Sequence, residues 1–93
     1  MNRRKLDGLW VRIEELRRKG GVKSSEMESF AQALGRKRSK GGKEPTWVSP
    51  VFPDLRPVSI PHHSKDLNRF TAGSILDQLE EDLIRHEEGA SDG

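Results

Sequence analysis

Arg56-Pro57-Val58-Ser59-Ile60-Pro61-His62-His63-Ser64-Lys65-Asp66-Leu67-Asn68-Arg69-Phe70-Thr71-Ala72-Gly73-Ser74-Ile75-Leu76-Asp77-Gln78-Leu79 is the stretch that decides the fold. Its first five residues are short, β-branched and alternating, which predicts a strand over 56–60. Pro61 has no N–H to give to a ladder, so pairing stops there or the strand lies on an edge. Residues 64–69 are polar and turn-forming. A helical period then begins. Ile75, Leu76, Leu79 and Leu83 form an apolar stripe, with Ala72 one turn earlier and Thr71 as the expected N-cap, so a helix is expected over 71–85. Asp77, Glu80, Glu81 and Asp82 read as its solvated face, and 87–93 as a frayed acidic tail. The pair His62-His63 falls at the strand-to-helix junction.

Upstream, Leu6, Leu9, Trp10, Ile13 and Leu16 repeat at helical spacing and predict an amphipathic helix over 6–19 that ends at Gly20-Gly21. Ser25 and Glu28 have the spacing of a capping box. Met27, Phe30, Ala31 and Leu34 line one face of a second helix over 25–34, and Gly35 is its natural stop. Residues 36–45 are the most basic stretch and read as a loop or as a charged edge strand turning at Gly41-Gly42. Thr46 to Phe52 is β-rich, but Pro50 requires an edge, a bulge or a break. The order is helix, helix, two or three strands, helix: an α+β class with helices over one face of a small antiparallel sheet.

Ninety-three residues make one small domain, with 31% hydrophobic and 34% charged residues. Cysteine is absent, which excludes a disulfide scaffold and thiol catalysis and fits a reducing cytosol. No apolar run approaches the roughly 20 residues that span a bilayer, and the N-terminus lacks the apolar core of a signal peptide. Residues 1–46 hold 13 Lys or Arg against 6 Asp or Glu, a net of +7, whereas 47–93 hold 4 against 9, a net of −5. The basic half suits a polyanion, or simply a solvated surface.

Arg36, Lys37, Arg38, Lys40 and Lys43 lie beside glycines and Trp47. Cations and glycine amides can meet phosphate, and an indole can stack on a base. Trp47 is equally suited to the core of so small a domain. His62 and His63 titrate near neutral pH and suit proton transfer in phosphodiester cleavage, a structural role or an RNA contact. A metal site is disfavoured, because adjacent side chains of extended chain point apart. No P-loop, nucleophile elbow or H-E-x-x-H motif is present.

Val58 to Leu76 resembles the C-terminal half of HicA-type toxins. That family has a strand ending in a Val-Pro or Ile-Pro step and a histidine, then a Lys-Glu-Leu-like loop, then a Thr that opens a helix with Ser-Ile-Leu. Ile60-Pro61-His62, Lys65-Asp66-Leu67, and Thr71 with Ser74-Ile75-Leu76 stand in those places. Ser24-Ser25-Glu26 and Leu34-Gly35 resemble the family's first helix and its exit. The resemblance covers 23–86, leaving 1–22 as a basic helical extension and 87–93 as a tail.

The resemblance implies a double-stranded-RNA-binding-domain-like helix, three strands and helix, which makes 36–40 a strand. It also implies a cytoplasmic toxin that cleaves mRNA with no metal or cofactor and is held inactive by a cognate HicB-like antitoxin. Arg36, Lys37, Arg38, Lys40, Lys43, Trp47 and Lys65 are the candidate RNA contacts. The family's hairpin histidine is replaced here by Gly41-Gly42-Lys43-Glu44-Pro45. Proton transfer then falls to His62, His63, Lys43 or Glu44, or the protein binds RNA without cutting it. A third reading gives helix 6–19 to a partner groove through Leu9, Trp10 and Ile13.

Overall fold

The computed structural model describes residues 2–39, 45–62 and 65–90. The order is α1 (Arg3–Arg18), α2 (Ser24–Ala33), β1 (Lys37–Ser39), β2 (Thr46–Val48), β3 (Val58–Ser59) and α3 (Arg69–Ala90). The three strands form one open antiparallel sheet in the order β1-β2-β3. This is the expected α+β class, with three helices.

Register explains which face of the sheet is covered. Arg38 pairs with Trp47, and Trp47 with Val58, so these three side chains share one face. Trp47, Val58 and, two residues on, Ile60 are buried there. Lys37, Thr46 and Ser59 alternate to the other face. The buried strand residues join Leu6, Leu9, Ile13 and Leu16 of α1, Met27 and Phe30 of α2, and Ile75, Leu79 and Leu83 of α3 in one cluster. α3 is the central element, contacting α1, α2 and β3. The amide of Ile60 donates to Pro45 O (3.1 Å), carrying the β2–β3 pairing one step beyond the strand.

Helix α1 is not spare surface. Leu9 and Ile13, offered above to a partner groove, are buried, and Trp10 is partly buried against the same cluster. Arg3 bonds Glu87 near the end of α3, while Arg17 pairs with Asp77 in its first half at 2.9 Å. The two helices therefore run antiparallel.

Several local expectations are corrected. β2 stops at Val48 because Ser49 Oγ accepts from the Phe52 amide (3.0 Å), turning the chain out of the sheet around Pro50. Pro57, with no N–H, keeps β3 shorter than 56–60. The cap of α3 is Asn68, not Thr71: Asn68 Oδ1 accepts from the Phe70 amide (2.7 Å). The glutamate closing the start of α2 is Glu26, which accepts from the Lys23 amide (3.1 Å), not Glu28. Helix α3 continues past Arg85 to Ala90 because Arg3 holds Glu87 and because His86 packs edge-on against Phe52 (4.8 Å).

Gly35 ends α2 as expected. It has φ +92°, its amide donates to Gln32 O (2.9 Å), and the next amide, Arg36, donates to Ala31 O (3.0 Å). This reverse turn delivers Arg36 directly beneath the sheet.

Candidate nucleic-acid interface

The basic run 36–38 divides at its first residue. Arg36 is only 3% exposed and is not available to RNA. Its Nε and Nη2 donate to Asp82 (3.0 and 2.7 Å), and its Nη1 donates to Trp47 O (2.8 Å) and Arg56 O (3.1 Å). A buried guanidinium needs a carboxylate and full hydrogen bonding, and this one has both. Asp82 is correspondingly buried, contrary to its reading as part of a solvated face. Trp47 is also buried, so its ring is closed to base stacking.

Lys37 and Arg38 are exposed and remain candidate phosphate contacts. With Glu28 and Gln32 of α2 they line an open depression of about 440 Å³ along the free edge of β1. Lys65 is exposed in the loop before α3. Lys40, Lys43 and His63, together with the hairpin turn 41–44, lie outside the described residues.

His62 emerges where β3 ends. The preceding Pro61 is fixed by the Ser24 hydroxyl, which donates to its carbonyl oxygen from the start of α2. That bond sets the junction against α2 and brings His62 to Glu28. His62 Nδ1 lies 3.8 Å from Glu28 Oε1, with the imidazole side chain 74% exposed and the carboxylate half-buried. The distance exceeds a hydrogen bond but lies within ion-pair range. A carboxylate at this distance can orient an imidazole, and catalytic contacts are often long before substrate binds.

Glu28 is the residue that sequence reasoning missed, because it was spent on a capping box that Glu26 supplies instead. Ser39, the last residue of β1, and Pro45, which leads into β2 and pairs with Ile60, lie at this same end. One end of the domain therefore gathers an exposed imidazole, a half-buried carboxylate and the ends of β1 and β2. Lys37 and Arg38 stand along the adjoining edge.

Among the described residues, no helix is long and apolar enough to cross a membrane. No protein-family model, curated protein or solved structure matches the chain.

Proposed function

We propose that this chain is a HicA-like toxin that acts on RNA in the cytoplasm, cleaves it without a metal, and is restrained by a HicB-like antitoxin. The observation that carries the reading is the exposed His62 imidazole held 3.8 Å from the Glu28 carboxylate, beside a cation-lined edge. Neutral His62 takes the proton from a ribose 2′-hydroxyl as its oxygen attacks phosphorus. The P–O5′ bond then breaks, and the 5′-oxygen takes a proton from a conjugate acid, the role assigned to His63 or Lys43. Lys37, Arg38 and the hairpin lysines offset the charge on the phosphorane. The test is purified protein with RNA in the presence of a chelator. Cleavage is expected for the wild type and is lost when His62 and His63 are both replaced by Ala. No wild-type cleavage, or full cleavage by the double variant, contradicts the assignment.

A second reading keeps the RNA surface without the chemistry. It is favoured by the exposure of His62 and by a contact longer than a hydrogen bond. It predicts salt-sensitive RNA binding with intact substrate.

A further inference from the structure

A second groove, of about 480 Å³, lies between β3 and the first turns of α3. Pro57, Ser59 and Pro61 form one wall, and Phe70, Ser74 and Gln78 the other. Its chemistry is unusual for so small a domain. Phe70 is 88% exposed, the most exposed large apolar side chain among the described residues. The Asn68 cap fixes the Phe70 backbone, so the ring is presented from a rigid helix start. No carboxylate lines the groove among the described residues. Arg56 and Arg69, the chain neighbours of Pro57 and Phe70, are both exposed.

The groove also leads somewhere. Pro61, at its end, is followed by His62. From Pro57 to Pro61 the wall spans on the order of 13 Å of extended chain, at ~3.3 Å per residue. A strand lying in it therefore ends beside His62.

We propose that this groove is a subsite for single-stranded nucleic acid, with Phe70 as the stacking platform for one base. Ser59, Ser74 and Gln78 supply donors and acceptors for the base edge. Arg56 and Arg69 meet the flanking phosphates. An exposed aromatic ring in a carboxylate-free groove, with cations at its margins, is a pattern that binds unpaired strands; Arg56 reaches that margin from an adjoining depression that also holds Asp54 and Glu81. Bases within a duplex are already stacked and cannot use the ring. A protein partner would seek a continuous apolar face, whereas Ser59, Thr71, Ser74 and Gln78 interrupt the apolar lining of this groove. The inference rests on the reading that the protein acts on RNA, and it adds where the strand lies and which strandedness is selected.

The test is fluorescence anisotropy of a labelled single-stranded RNA hexamer and of its duplex, with the wild type, Phe70→Ala and Phe70→Trp. Thermal melts check that the variants are folded, and an exposed ring should leave them unchanged. Phe70→Ala is expected to weaken hexamer binding roughly 10- to 100-fold without changing the salt slope, because a stacked base and no phosphate contact is lost. Phe70→Trp restores the affinity, and duplex binding does not respond to either change. Equal hexamer affinity for wild type and Phe70→Ala overturns the subsite while leaving action on RNA intact. Equal RNA affinity with altered self-association in sedimentation assigns Phe70 to protein contact and likewise overturns it. If the wild type binds no RNA, the functional reading fails and the subsite with it.

Discussion

Arg36 joins the exit of α2, the backbone of β2, the loop at Arg56 and the middle of α3 through a single side chain. Isolating either partner of such a buried pair leaves an uncompensated charge, whereas replacing both by apolar groups is often tolerated. Asp82→Ala is therefore expected to lower the unfolding free energy by about 3–5 kcal/mol in urea denaturation. The double replacement Arg36→Met with Asp82→Leu should recover most of that loss. A single-variant loss within about 0.5 kcal/mol, as at an ordinary surface site, contradicts the buried pair. The sequence carried a signal for it. Ile75, Leu79 and Asp82 stand at i, i+4 and i+7, so the aspartate falls on the apolar stripe and requires a buried cation. Its partner lies 46 residues away and looks no different from Lys37 or Arg38 beside it. Glu28 gave no comparable signal, since its approach to His62 depends on a loop that closes onto α2 through Ser24 and Pro61.

The three helices were legible because each carries an apolar stripe at helical period, and their ends were less so because caps depend on neighbours. Asn68 and Thr71 are both acceptable N-caps by residue type, and only the fold selects between them. Gly35 is the exception, a stop readable from sequence and required by its left-handed backbone. A β-carbon there would meet only Val51 Cγ2 at 3.8 Å, an ordinary contact, so the penalty is conformational. Gly35→Ala is expected to destabilise by about 1–2 kcal/mol in a denaturation midpoint, and an unchanged midpoint contradicts the turn. Carboxylates also fasten element ends. The Lys19 amine lowers the Glu26 carboxyl below its usual range, the Arg85 guanidinium lowers Asp54, and the Arg3 guanidinium lowers Glu87. Each binds its partner ionised in the folded chain, so its folded pKa lies below its unfolded one. Their contribution is complete above the unfolded carboxylate values, about 4, and is lost as pH falls through the folded values. Urea midpoints should hold from pH 7 to about pH 5 and fall below it, less steeply for the triple amide variant of these carboxylates. Parallel acid profiles for the two proteins would contradict that linkage.

Across the whole molecule, a basic N-terminal half and an acidic C-terminal half fold onto each other, and pairs such as Arg3–Glu87 and Arg17–Asp77 consume part of each excess. Lys37 and Arg38 stand on a sheet edge, with the hairpin root and His62 at one end of the domain. The fold class was legible because hydrophobic period and proline placement are local signals. The site was legible only in part. His62 stood out by residue type, whereas the carboxylate beside it and the withdrawal of Arg36 and Trp47 into the interior arise from contacts distant in sequence. The most direct measurement of the central claim is the single-turnover cleavage rate of single-stranded RNA, with excess protein and a chelator, for wild type and His62→Ala. Cleavage by the wild type is expected, with a loss on the order of 10²–10⁴-fold in the variant, the usual contribution of a positioned proton-transfer group. Equal rates for the two proteins would contradict it.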